Sequence, residues 1–191
     1  RHAGDRDAAA LLFKGLTVEY LMERLHPVRP GEDVLFYAAS GGVGQIAGQW
    51  GRHLGAHMIG VTSGPENCAM IRDLGYDAAI DRLSKEIGAR ARELTDGRGV
   101  SVVYDSAGKA TFEASLAALR PRGMFVSFGS ATGDAPDVPP SRLQHAGSLF
   151  FTRPMLAHYI VTDEEYHAAA RRVFALASEG VLKVNVNQTF G

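Results

Sequence analysis

DVLFYA, ASGGVG and QIAGQW run on without a break from residue 33 to residue 50, and this stretch decides the fold. After Asp33 the first part is apolar and rich in β-formers. The middle six are a glycine-rich turn. From Val43 onward, and past the quoted stretch, Val43, Ile46, Ala47, Trp50 and Leu54 recur at helical spacing along one face. Ala39-Ser40-Gly41-Gly42-Val43-Gly44 fits G-x-G-x-x-G with alanine in place of the first glycine. Each position has a physical reason. Ala39 is small enough for a tight turn, Gly41 removes a Cβ that would keep a diphosphate off the backbone, and Gly44 lets the helix pack closely on the strand. Amide N–H groups near Gly42 and Val43, at the helix N-terminus, then meet negative charge. A bare G-x-G-x-x-G is a weak signal. Between a strand and a helix, in the first unit of a repeating series, it predicts a dinucleotide site.

The series is visible in the rest of the chain. Apolar runs begin near Asp33, His57, Asp77, Ser101, Gly123 and Gly147, 20 to 24 residues apart. That interval holds a strand, a turn and a helix of about three turns, the rhythm of repeated βα units. The runs are continuous rather than alternating, as expected of strands covered by helices on both faces. SGPE at residues 63–66 reads as a capping box with Pro65 just inside a helix, and TDEE at 162–165 as a second. Helices are also expected over about Ala8 to Leu25, after Ser84, over Ala110 to Leu119, and from the second capping box to a stop before Gly180, with Tyr166, Ala170, Val173 and Ala177 along one stripe. Ser130 to Ser141 reads as a surface loop and Val181 to Val186 as strand-like. Right-handed crossovers then favour a doubly wound Rossmann α/β fold, a six-stranded parallel sheet of order 3-2-1-4-5-6 with helices on both faces.

Composition is that of a soluble globular protein: 46% hydrophobic, 21% charged, formal net charge −1 over 191 residues. Nothing in that charge favours nucleic acid or a membrane surface. No apolar run approaches the roughly 18 residues of a membrane span, and no signal-peptide pattern opens the chain. A lone cysteine, Cys68, excludes an internal disulfide and fits a reducing, cytoplasmic compartment. It reads as a small core residue on an amphipathic helix. The first residue is not methionine and the end at Gly191 is abrupt. Residues 1–191 are therefore expected to form one nucleotide-binding domain whose neighbouring domain is absent.

An NAD-selective domain offers an acid about 20 residues beyond the turn, for the ribose 2′-OH. Here that position reads Val61-Thr62-Ser63-Gly64, with no carboxylate. Thr62 and Ser63 can hydrogen-bond a 2′-phosphate, and Arg82 or Arg72 could pair with it. NADP is favoured. His26, His53 and His57 read as surface or packing residues, and His145 and His158 as structural. Asp105, at the fourth strand's end, is expected to orient backbone amides of the turn that follows.

AASGGVGQIAGQW (38–50), VVYDSAG (102–108), SFGS (127–130) and GSLFFTRP (147–154), in that order, resemble the quinone oxidoreductases (ζ-crystallin-like) of the medium-chain dehydrogenase/reductase superfamily. The resemblance runs from Ala9 to Val186. It implies the nucleotide-binding domain of a two-domain, zinc-independent enzyme that passes hydride from NADPH to a quinone or an α,β-unsaturated carbonyl. The GroES-like catalytic domain would lie outside this chain. It further implies that Ser40, Gly42 and Val43 flank the pyrophosphate, and that Ser106, Ala107 and Gly108 lie on the adenine side. Phe128, Gly129 and Ser130 would run under the nicotinamide, with Phe151, Thr152 and Arg153 closing the pocket. The N-terminal helix would face the nicotinamide, which makes Lys14 and Thr17 candidate contacts.

Two positions depart from the family. A lysine after the second strand and a tyrosine after the third are replaced here by Asn67 and Arg82. Arginine can still pair with phosphate and stack on adenine. The metal-ligand cysteine of the zinc-dependent relatives would fall about where Ala10 stands, so no metal is expected. Two other readings share this turn and sheet: an enoyl-reductase domain acting on thioesters, and a non-catalytic NADPH-binding sensor or structural protein. No proton donor is legible. The sixth run, Gly147 to Thr152, is an apolar sheet edge that needs covering, and with the family it implies a homodimer through that edge.

Overall fold

The computed structural model describes residues 5–83 and 86–184. Six strands form one sheet: β1 (Asp33–Tyr37), β2 (His57–Thr62), β3 (Ala78–Asp81), β4 (Val100–Asp105), β5 (Leu119–Ser127) and β6 (Phe150–Thr152). Their order is β3-β2-β1-β4-β5-β6, and each neighbouring pair is parallel. This is the doubly wound order expected from the spacing. Among the described residues, seven α-helices connect and flank the strands: α1 (Asp5–Glu19), α2 (Gly42–His53), α3 (Pro65–Asp73), α4 (Ile87–Glu93), α5 (Phe112–Ala118), α6 (Pro140–His145) and α7 (Asp163–Ser178).

Successive strand residues point to opposite faces and enter different cores. Val34 and Phe36 of β1, Met58 of β2 and Tyr104 of β4 pack with α1, α2 and α7. Leu35, Tyr37, Ile59 and Val103 pack with α4 and α5. Every residue of β4 is buried, because both of its faces are covered. Helix α1 widens into a π-helical turn over Tyr20–Leu25, where the Tyr104 hydroxyl donates to the Leu21 carbonyl at 2.9 Å. Glu23 in that turn accepts from the Trp50 indole at 2.9 Å and from Arg172 at 2.8 Å. One carboxylate thus joins the end of α1 to α2 and α7. Gly15 lets α1 lie against α7, since a Cβ there would sit 2.5 Å from Val173 Cγ1.

Several boundaries differ from the sequence reading, each for a local reason. The residue 63–66 capping box does not form. Gly64 is the N-cap residue of α3, with φ +82°; its N–H donates to Asp81 Oδ1 at 3.1 Å, and the Ser63 hydroxyl accepts from Arg82 instead. The second box does form: Thr162 Oγ1 accepts from the Glu165 N–H, and Glu165 Oε2 accepts from the Thr162 N–H. Strand β5 begins at Leu119 directly after α5, and its register on β4 shifts between Val100 and Val102. Pro121 has no N–H to give a ladder, and Arg122 sits at φ +63°, so the strand entry is bent. β6 starts three residues later than expected because Gly147 and Ser148 take positive φ. The loop before it contains the unexpected helix α6, which starts at Pro140. Residues 181–184 form no strand, and the rest of that strand-like run lies outside the described residues. So do Ser84 and Lys85; α4 is capped by Glu86, whose carboxylate accepts from the Ala89 N–H at 2.8 Å.

The two boxes predict opposite outcomes in urea unfolding. Thr162→Ala should cost about 1 kcal/mol through the lost cap, whereas Ser63→Ala should cost less than about 0.5 kcal/mol. Equal losses would show that Ser63 caps α3 in solution.

Candidate dinucleotide site

The turn between β1 and α2 reverses at Ala38, which takes φ +52°. The left-handed residue is therefore Ala38 and not Ala39, the position aligned with the missing glycine. Ala39 is buried and its N–H donates to the Val61 carbonyl at 3.0 Å. An alanine in the left-handed region is strained by roughly 1 kcal/mol, so neighbours must hold it there. The Gly41 N–H donates to the Ala38 carbonyl at 2.8 Å. Gln45 Nε2 donates to the Ser40 carbonyl at 2.8 Å, and Thr62 Oγ1 donates to Ser40 Oγ at 2.7 Å. Behind the turn the buried Tyr76 hydroxyl donates to the Gly44 carbonyl at 2.7 Å.

The glycines do different jobs. A Cβ on Gly44 would lie 2.4 Å from the Ala38 carbonyl oxygen and 2.6 Å from Ala39 Cα, both backbone atoms that cannot move aside. Gly44 is a packing glycine. A Cβ on Gly41 would meet only Ala38, its carbonyl oxygen at 3.1 Å and its Cβ at 3.9 Å, and otherwise enter open space. Gly41 keeps that space clear. The first backbone bond of α2 runs from the Gln45 N–H to the Gly41 carbonyl at 2.9 Å. The N–H groups of Gly42, Val43 and Gly44 precede it, and no side chain caps the helix. Gly41, Gly42, Val43 and Gly44 border a cavity of about 190 Å³ together with Ser106 and Phe128. The open amides, the helix dipole and the cleared Cβ space suit a diphosphate.

The far wall is built at the ends of β4 and β5. Asp105 is fully buried and accepts four hydrogen bonds. Its Oδ1 takes the Ala107 and Gly108 N–H groups at 2.7 and 3.1 Å, and its Oδ2 takes the Thr111 and Ser115 hydroxyls, each at 2.7 Å. It orients the turn that follows, as expected. Gly129 lets the two strand ends approach, since a Cβ there would lie 2.5 Å from the Ser106 carbonyl oxygen. The Phe128 ring lies 5.5 Å from that of Phe36.

Beyond β2, Thr62 is tied to Ser40, and Arg82 Nε donates to Ser63 Oγ at 2.6 Å. Asn67 is exposed, with its amide on the Ser63 carbonyl at 2.9 Å. These four residues gather at one strand end, beside the turn. The β6 group does not join them. Phe151 is edge-on to Phe125, with centroids 5.2 Å apart, in the core under α5. Arg153 donates to the Ser127 carbonyl at 2.9 Å. Thr152 and Ser130 border neither cavity at the turn. Thr17 Oγ1 donates back to the Phe13 carbonyl within α1.

Gln45 was absent from the sequence reading, although it fixes the turn; a glutamine one residue past the glycine pattern carries no separate signal. Lys14 and Lys183 line a second cavity, of about 380 Å³, on the other side of Ser40 and Gly42. Cys68 is half-buried rather than a core residue, because Ile71 is the residue that α3 buries. Burial still raises its thiol pKa, which disfavours a nucleophilic thiolate. His57 and His26 pair with Asp33 and Glu32, at 2.7 and 3.3 Å. Among the described residues, no group of three or more His, Cys, Asp or Glu could hold a metal ion.

A parallel sheet of this order, with an open helix start at its carboxyl edge, defines a dinucleotide-binding domain of the doubly wound class. The chain belongs to the zinc-binding dehydrogenase family, whose profile matches residues 42–175. It is 44% identical over 183 residues to a quinone oxidoreductase of Pseudomonas aeruginosa, covering 96% of this chain and 56% of that protein. A 2-haloacrylate reductase from Burkholderia sp is 42% identical, covering 97% of this chain and 56% of its own length. The crystal structure of Escherichia coli quinone oxidoreductase complexed with NADPH superposes with a TM-score of 0.91 at 41% identity, over 96% of this chain and 56% of the other. The chain thus spans little more than half the length of these relatives.

The four bonds on Asp105 predict that Asp105→Ala lowers unfolding free energy by about 3 kcal/mol or more, because two hydroxyls and two amides lose their buried acceptor. Urea denaturation followed by far-UV circular dichroism measures it. A loss under about 1 kcal/mol would mean that water replaces the carboxylate there.

Proposed function

We propose that residues 1–191 form the NADPH-binding domain of a two-domain, zinc-independent oxidoreductase that reduces quinones or α,β-unsaturated carbonyl compounds. The observation that carries this reading is the open amide cradle of Gly42, Val43 and Gly44, facing the cavity walled by Ser106 and Phe128. An NADPH complex of a relative 41% identical supports the cofactor, and a relative named for 2-haloacrylate reduction supports an activated double bond as acceptor.

The residues at each strand end have assigned tasks in this reading. Gly41, Gly42, Val43 and Ser40 receive the pyrophosphate, with Ala39 and Gly44 shaping the turn beneath. Thr62, Ser63, Asn67 and Arg82 take the 2′-phosphate side. No carboxylate of β2 repels that phosphate, and the Ser63 bond aims the Arg82 guanidinium at the strand end. Ser106, Ala107 and Gly108 border the adenine side, held by Asp105. Phe128, Gly129 and Ser130 lie under the nicotinamide, with Thr152 and Arg153 of the β6 end closing the pocket around the bound cofactor while the Phe151 ring stays in the core under α5. Bound NADPH supplies the hydride; the chain's residues position the cofactor and, through Phe36 and Phe128, keep water from one side. The acceptor site lies between this domain and a GroES-like domain outside this chain. The protein acts in the cytoplasm, and no described helix is long and apolar enough to cross a membrane.

Gly41→Val tests the cradle. NADPH affinity, read by nucleotide fluorescence, should fall by more than about ten-fold, with the circular dichroism spectrum unchanged, because the new side chain enters open space. Wild-type chain should bind NADPH more tightly than NADH, and tighter NADH binding would overturn the NADP assignment. Completed by its second domain, the protein should reduce quinones or enones in preference to enoyl thioesters. The reverse preference would make it an enoyl reductase, and binding without turnover a sensor.

The same reading includes a homodimer. β6 is a three-residue strand at the sheet edge, and Phe150 on it is 59% exposed. Sedimentation should give a dimer that Phe150→Lys shifts toward monomer; a wild-type monomer at high concentration would refute pairing through this edge.

A further inference from the structure

Lys14 sits on α1, one residue before the glycine that lets this helix settle on α7, and its position follows from that packing. Its side chain reaches over the start of α2. A Cβ on Gly42 would lie 2.7 Å from Lys14 Cε and 3.0 Å from Nζ. The second glycine of the Gly41-Gly42 pair therefore makes room for this lysine, a different task from that of Gly41. Among the described residues, the Lys14 ammonium has no ion pair or hydrogen bond. It lines the 380 Å³ cavity with Ser40, Gly42, Gln45 and a second cation, Lys183. Lys183 is set there by Gln49, whose amide donates to its carbonyl at 3.1 Å and accepts its N–H at 2.8 Å.

We propose that Lys14 is a ligand of the cofactor's pyrophosphate, completing the amide cradle with a formal positive charge. This rests on the NADPH reading above. The positive end of α2 and the Lys14 ammonium are adjacent like charges, an unfavourable pair until an anion lies between them. A diphosphate over Gly42 is within reach of both. The resemblance placed this helix opposite the nicotinamide; the geometry points elsewhere, since Phe128 lines the smaller cavity while Lys14 lines the one beyond Ser40. Lys14 is exposed, so its contribution is modest and sensitive to salt.

Binding of four probes to the 191-residue chain and its variants locates the contact. NADPH, NADH and 2′-phospho-ADP-ribose carry the pyrophosphate, the last without nicotinamide, and adenosine 2′-monophosphate lacks it. Lys14→Ala should weaken the first three by about five-fold at low ionic strength and leave the fourth unchanged. The difference should shrink in high salt, and Lys14→Arg should restore most of the affinity. Unchanged binding of all four probes to Lys14→Ala overturns the proposal. So does a loss confined to the two nicotinamide nucleotides, or one shared by adenosine 2′-monophosphate. Failure of the wild-type chain to bind NADPH would instead defeat the cofactor reading on which the proposal stands.

Discussion

Three consecutive amides with no acceptor inside their own helix are the constraint around which this domain is organised. Buried amides without partners are costly, so an uncapped helix start persists only at a surface where water or a ligand can reach it. The rest of the turn keeps it there and keeps it open. Ala38 is held left-handed, Ser40 is tied through Thr62 to the neighbouring strand, and Gln45 closes the loop on the Ser40 carbonyl. Tyr76 pins the Gly44 carbonyl from below. Burial pushes the Tyr76 phenol pKa well up, so it stays a donor across the ordinary pH range. Three side chains, Thr62, Gln45 and Tyr76, thus converge on the turn from Ala38 to Gly44, and the cradle is preorganised rather than assembled by its ligand.

The sheet supplies the second half of the site by the same economy. In a doubly wound fold the strand order reverses between β1 and β4, so the loops leaving those strands part and open a crevice. One wall is the glycine turn after β1. The other is the turn after β4, whose amides would scatter without Asp105. A carboxylate buried with two amides and two hydroxyls is well satisfied, and its four bonds convert a flexible exit loop into a fixed surface. The Glu23 carboxylate acts similarly at longer range, joining the π-helical end of α1 to Trp50 and Arg172. Two buried or half-buried acids therefore set where the site's walls stand, although neither touches the cavity.

Much of this was legible in the sequence because it depends on periodicity and backbone sterics. The spacing of apolar runs led to six strands in the observed order, and the glycine pattern marked the turn. Asp105 was assigned its orienting role from position alone. What escaped depends on partners distant in sequence. SGPE has the form of a capping box, yet the Ser63 hydroxyl oxygen accepts from Arg82, 19 residues away, and no local pattern encodes that choice. The bend at the start of β5 needs the neighbouring strand to be visible. Phe151 follows the β6 motif that the resemblance placed at the pocket, but a large apolar ring at a strand end can serve pocket or core. Here the aromatic cluster of Phe112 and Phe125 captures it.

The two glycines at positions 41 and 42 look equivalent as letters and are not equivalent as structure. At 41 the missing side chain leaves a void over the helix start; at 42 the missing side chain is replaced, in space, by the end of a lysine from another helix. A sequence pattern records only that a Cβ is absent. It does not record whether the vacated volume is meant for solvent, ligand or protein, and that distinction separates a clearing from a contact. The packing of Gly15 against Val173, itself invisible in the motif, decides it by setting how far α1 advances over α2. The charge at this cradle is therefore determined partly by helix–helix packing remote from the glycine turn, which ties the electrostatics of the site to the α1–α7 core.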